Sequence, residues 1–579
     1  MRKPALGALF AVLAVLSAAS VYAKKTAATN VRPAKQWTTE IPKDKRIDQA
    51  LNRLTFGPRP GDAATVQAMG LNRWIERQLH PGSIPENPLL AEKLKTLDTL
   101  ALSSNELVRD YPTPQMVRQM VNGQVPFPNN PERRRMIQKL VAKYEERLKA
   151  GQDANANPNL PDTKTLGDLL SRDEMRSLRT GTPNQRMAAL EALPQDRQDD
   201  VIAAMGGGMR QAIFPVASPE LRRKLEMANG PAQVVARDLT EAKILRAVYS
   251  SHQLEEVLDD FWFNHFNVFL DKGADRYLVT AYERESIRPH VLGKFHDLLE
   301  ATAKSPAMLF YLDNWQSVGP NAPGAGRGNA KQARRGLNEN YGRELMELHT
   351  LGVNGGYTQK DVTEVARCFT GWTINQPQRG GQFTFNPRLH DNGEKVVLGV
   401  TIPAGGGQSD GEKVLDILVH HPSTAHFISR KLAQRFVTDD PPESLVARMA
   451  ETFQRSNGDI AAVLETMLKS KEFWSEGAYR SKMKSPLEMV ASAVRAVGGD
   501  VDFAFPLVNQ VAQLGEPLYR KIEPTGYANS SKEWMNSAGL MARMNFALQL
   551  ADNKIPGVKV EKTVDQEGIQ LGSPEFQKR

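Results

Sequence analysis

The chain has 579 residues, with 74 Lys and Arg against 66 Asp and Glu and a formal net charge of +8. So mild an excess on so long a chain allows contact with anionic surfaces but lacks the dense basic stripe of a dedicated nucleic-acid binder, and no nucleic-acid partner is expected. A single cysteine, Cys368, excludes an intrachain disulfide, so stability must rest on a core that this length can supply.

In chain order, Arg2 and Lys3 precede an uncharged apolar run from Ala5 to Val21, and Val21-Tyr22-Ala23 has the small side chains that signal peptidase accepts. Residues 1–23 therefore read as a signal peptide, predicting export to the periplasm or beyond the cell. No later segment is apolar enough to cross a membrane, so no stable transmembrane segment is expected after cleavage. Residues 24–45 read as a flexible tether. Helical spacing begins at Arg46 to Phe56 and stops at Gly57-Pro58. Asp62 starts a helix closed by Gly70, and Leu71 to Leu79 forms its partner in a tight hairpin.

Residues 127–235 differ in character. Pro131 to Ala150 is a charged helix, and GQDANANPNLPD (151–162) is loop by composition, so the stretch reads as a charged insertion or lid. From Ala236 helices are predicted at 237–250, 253–268, 275–291, 294–303, 336–351, 359–370, 410–419, 423–436, 443–455, 459–469 and 485–497. Ser317 to Gly336 is a Gly- and Arg-rich loop. Between Gly371 and Pro403 the period changes to two, and Gln382–Leu389 with Lys395–Ile402 predicts a β-hairpin turning at Asp391-Asn392-Gly393. The fold class is mainly α: one large multi-helix, orthogonal bundle-like domain over 46–550, with a small hairpin near 382–402 and a C-terminal tail at 551–579.

Helical geometry singles out two ionisable residues. At about 100° per residue, Leu351, Leu337, Leu348 and Tyr341 fall within roughly 60° of Glu344, which places this carboxylate inside an apolar stripe. Asn340 and Glu347 lie at its edge, with Arg343 and His349 flanking it. A buried carboxylate must find a cation, a metal or several donors, or hold its proton. His265 falls by the same arithmetic among Leu254, Leu258, Phe261 and Trp262. A structural pair locking two helices and a functional pair both fit, and pairing of His265 with Glu344 is expected. His390, at the mouth of the hairpin, is the third candidate catalytic residue.

His265, Glu344, His349 and His390 have the ligand types of a Zn or Fe site, although no HExxH pattern is present. Glu344 and His349 diverge by about 140° on an ideal helix. Arg430 and Lys431, on the helix after His421-Pro422, are either a solvated face or an anion-binding pair beside a groove. Thr358 and Asp361 form a capping box. There is no GxSxG elbow, phosphate loop, dinucleotide fingerprint or haem motif.

The stretches LNRLTFGPRPGD (51–62), FWFNHFNVF (261–269), NYGRELMELHTLGVNGGYTQKDVTEVARCFTGW (340–372), HDNGEKVVLG (390–399) and HPSTAHFISRKLAQRFV (421–437) resemble the bacterial family called domain of unknown function 1800. Residues 515–547 fit less closely, with Glu523-Pro524-Thr525-Gly526-Tyr527 where the family tends to show a PPN-x-x-GW-like run. The resemblance implies an exported, mostly helical protein and a co-exported partner of sulfatase- or phosphatase-like fold. It supplies no reaction. His265, Glu344, Glu347, His349, His390 and Lys431 lie inside the shared motifs. Two functions stay open: a His/Glu-centred, metal-assisted enzyme acting on an extracellular or envelope polymer, and a non-catalytic envelope assembly or binding protein. The first predicts that His265, Glu344 and His390 converge on a pocket; the second predicts a broad exposed patch.

Overall fold

The computed structural model describes residues 35–152, 165–322, 336–560 and 567–579, so the expected signal peptide, half of the expected tether and most of the 317–336 loop lie outside it. The protein is mainly helical. Helices start where cap and proline signals place them: Ser485 and Thr358 each close a capping box, and Pro231, Pro422 and Pro486 occupy first turns, where a missing N–H costs nothing. The hairpin Asp62–Met69 and Leu71–Leu79 turns at Gly70. No helix among the described residues is long and apolar enough to span a membrane.

The apolar stripes meet in one large core. It joins the first helices (Leu51, Leu54) to Trp262, Phe266, Tyr341, Leu432 and Phe546. A second cluster forms where Pro131–Gln152 packs near Pro231–Tyr249, through Ile137 and Val235. A third, with Leu178, Leu190, Val201, Ile213 and Leu225, lies wholly within residues 166–228, so the charged 127–235 stretch carries a small core of its own. The last residues are built into the domain: Val558–Lys559 pairs with Asp500–Val501, and Arg579 exchanges backbone hydrogen bonds with Lys482 (3.3 and 2.8 Å).

The β region differs from the expected hairpin. Phe383–Phe385 pairs antiparallel with Trp372–Ile374, and Lys395–Val397 pairs with Val400–Ile402 across a turn at Leu398-Gly399, both at positive φ. Asp391 does not turn a hairpin. Its carboxylate accepts from Gly393 N (2.9 Å) and from Arg367 Nε (3.0 Å) and Nη2 (3.1 Å), and this local bond pattern ends the extended run before it can pair.

Two contacts set the candidate site. A Cβ at residue 342 would lie 2.9 Å from Val362 O, so Gly342 lets Glu339–Glu344 approach Gln359–Cys368 closely. Gly352, at φ +80°, ends the following turn with the Phe427 ring against it.

Candidate functional site

The helix carrying Glu344 does not stay α-helical. Residues Leu345–Thr350 form a π-helical turn, with Leu351 N donating to Met346 O at 2.7 Å. The extra residue in the turn moves later positions about 100° around the axis. His349, predicted to flank the apolar stripe, therefore faces the core and is only 3 % exposed. A second π turn, Tyr282–Ile287, lies in the same core. Such bulges recur at functional sites because they re-aim a few side chains without breaking the helix.

His265 ends the helix Gln253–His265 and is buried against Trp262 (ring centroids 5.5 Å), Phe266 (4.5 Å) and Phe427 (6.2 Å). Its Nε2–H donates to the backbone carbonyl of His349 at 3.1 Å, and the two imidazoles lie 6.2 Å apart. That bond leaves His265 Nδ1 as an acceptor with no partner among the described residues, and His349 Nε2 is likewise unpartnered. Burial holds both imidazoles neutral, with the nearby Lys431 ammonium adding to it; His349 is brought down to about 3, and His265 well below its usual range.

Lys431 reaches this pair from Pro422–Phe436. Its ammonium lies 5.4 Å from the centre of the Phe427 ring and has no acid partner among the described residues. Burial lowers it to about 8. Arg430, its neighbour, points elsewhere and pairs with Asp440 at 2.8 Å on the surface.

The expected bond between His265 and Glu344 is not formed. Glu344 is half-buried, and its carboxylate takes no hydrogen bond or ion pair among the described residues. Burial, and then the Glu347 charge, push it up, while Arg343 opposes them weakly. Glu347 accepts from Tyr357 Oη at 3.0 Å. The helical spacing did not foresee this: the π turn that follows Glu344 presents the His349 carbonyl, not the Glu344 carboxylate, to His265.

His390 occupies a separate network in which the charges are paired, although Asp410 Oδ1 is buried without a hydrogen bond. His390 is fully buried; Nδ1 donates to Thr370 O (2.8 Å), and Nε2 lies 3.2 Å from Asp410 Oδ2. Lys395 Nζ donates to the same Asp410 oxygen at 2.6 Å and to the Asp391 carbonyl. None of these partners touches His265 or Glu344. A cleft that runs past Phe261 and Asn264 has none of His265, Glu344, His349 and His390 on its walls.

A Zn or Fe ion does not fit these residues. The two imidazoles lie 6.2 Å apart, and the ammonium of Lys431 near them opposes a dication. No group of three or more His, Cys, Asp or Glu among the described residues is placed to hold a metal.

Sequence reasoning missed Asn264 and Asn267, which flank His265. Asn267 Nδ2 donates to Lys521 O and Glu523 O (both 2.9 Å), and Asn264 exchanges bonds with the backbone of Tyr527 (2.8 and 2.6 Å). Gly526, at φ +68°, lies so close that a Cβ there would meet Asn264 O at 2.1 Å. The signal was two amides spaced three apart at a helix end, where unpaired carbonyls and loops need donors.

A family model described as "Protein of unknown function (DUF1800)" matches residues 49–578. No curated protein and no solved structure matches the chain.

Proposed function

The chain belongs to the DUF1800 family, and from that premise we propose that it is an exported protein with an acid–base centre acting on an extracellular or envelope polymer. The centre comprises Glu344 with Glu347, and His265 with His349 and Lys431. One observation carries the reading: Glu344 and Lys431 have no ion-pair partner among the described residues, and beside them His265 Nδ1 and His349 Nε2 are buried without a hydrogen bond. An unpartnered buried polar atom costs about 1–3 kcal/mol, and such a cost persists where the group is used. Glu344, with its raised affinity for a proton, is the acid, and Lys431, lowered to about 8, is the base. Both Glu344 and Lys431 are part-exposed and can reach a substrate.

The test is release of soluble fragments from isolated cell envelopes by the purified chain. Release is expected from the native chain and is lost, by at least 100-fold, in Glu344→Gln at unchanged melting temperature. No release by native protein, or full activity in Glu344→Gln, counts against the centre.

A specific surface supports the non-catalytic reading as well. Helix Ser537–Ala551 exposes Leu540 (39 %), Met541 (67 %), Met544 (54 %) and Leu548 (49 %) on one face. Flexible thioethers in an exposed apolar stripe suit a protein partner, which we propose to be the co-exported protein of sulfatase- or phosphatase-like fold. Met541→Asp with Met544→Asp is expected to abolish co-purification with that partner; undiminished capture would remove the stripe from the account.

A further inference from the structure

Six cations are buried together around the start of helix Pro486–Ala496: Arg53, Arg435, Lys482, Lys484, Arg543 and Arg579. The acids among them are already taken. Glu488 pairs with Arg435 and with Arg579 (3.0 Å), Asp439 with Lys482 (2.7 Å), and Asp260 with Lys243 (3.5 Å). Glu516, pushed up to about 8 by burial and by Asp260, carries its proton at neutral pH. Positive charge is therefore in excess in a place that water reaches poorly.

The guanidinium groups also have donors left over. Arg435 Nη2 and Arg579 Nε and Nη1 are buried with no partner among the described residues, and so are Arg53 Nε and Nη1 and Arg543 Nη1. Arg435 is 5 % and Arg579 3 % exposed, and both line a cavity of about 40 Å³ shared with Lys482 and Ser530 and with the acids Asp260, Glu488 and Glu516. A water needs about 10–15 Å³ on this measure, so the space suits a group of a few heavy atoms. One wall is residues 527–530, where Ala528 is exposed to solvent.

We propose that this cavity binds a tetrahedral oxyanion, phosphate or sulfate, through the guanidinium groups of Arg435 and Arg579. Guanidinium forks match such oxygens in charge and geometry, and a doubly charged ion offsets the excess cations. The depressed affinities agree: Arg579 is held to about 9, and Lys482 and Lys484 to about 7, by burial, with Arg579 itself repelling both lysines. The site is independent of Glu344 and stands whether or not the acid–base centre does.

Equilibrium dialysis of the purified full chain, tagged only on its N-terminal side, tests it with radiolabelled phosphate and sulfate in chloride buffer of constant ionic strength. One saturable site per chain is expected, weakened at least tenfold in Arg579→Gln and unchanged in Arg455→Gln, an exposed control. Methyl phosphate competing as well as phosphate supports an esterified group on a larger molecule as the natural source; no competition supports the free ion. Absence of saturable binding up to roughly 10 mM, or binding undiminished in Arg579→Gln, overturns the proposal. If Arg579→Gln does not fold, melting of the native chain decides: a saturable rise with phosphate over matched chloride supports the site, and no rise overturns it.

Discussion

Two buried histidine clusters in one core are built on opposite terms. Around His390, each charge is answered: Lys395 pairs with Asp410, and Arg367 holds Asp391. Around His265 and His349, an ammonium faces two neutral imidazoles and no acid answers it. The imidazoles of both clusters are shielded from water, so burial alone does not distinguish them; pairing does. A closed network holds elements together, whereas an open one leaves lone pairs and a proton donor for something else to use.

The largest effect should come from opening the closed cluster. Asp410→Ala strands Lys395 in dry core and is expected to lower stability by about 3–5 kcal/mol in denaturant unfolding. A loss below about 1 kcal/mol would collapse the contrast. Lys431→Met, on the open side, removes a desolvated ammonium without breaking a pair, and its expected effect is between zero and a gain of about 1 kcal/mol. Destabilisation as large as that of Asp410→Ala would show a hidden partner.

Acid sharpens the same contrast. An unfolded His takes up its proton near pH 6.5, while folded His349 resists down to about 3 and His265 is also depressed. Folding is thus unaffected by these groups above pH 6.5. Stability falls as pH drops from there toward 3, by up to about 1.4 kcal/mol per pH unit for each histidine. His349→Gln should flatten the slope of melting temperature between pH 6.5 and 4; an unchanged slope would place the acid sensitivity elsewhere. The smallest effect is at Glu344→Gln, expected within about 0.5 kcal/mol of the native chain because the carboxylate has no bond to lose.

Much of this was legible in the sequence, for local reasons. Caps, prolines and apolar spacing located the helices to within a few residues, as at Glu443–Arg455 and Pro486–Ala496. The wheel identified His265 as a core residue. It misjudged His349, because a π turn breaks the 3.6 period the arithmetic assumes. The β pairing failed at Asp391, where a side-chain bond to Gly393 outcompeted the ladder. The six-cation cluster was out of reach, since Arg53, Glu488 and Arg579 are brought together from opposite ends of the chain. Lys431 was legible only as a residue beside a groove; that no acid would answer it is a property of the assembled core.

The contrast between the two clusters rests most on that unanswered charge, and the Lys431 ammonium can be titrated directly. In NMR of the ¹³C-dimethylated chain, with Lys431→Arg to identify the signal, the account predicts a lysine titrating near pH 8. Titration of Lys431 at about 10.5, as for a solvated or acid-paired ammonium, would contradict it.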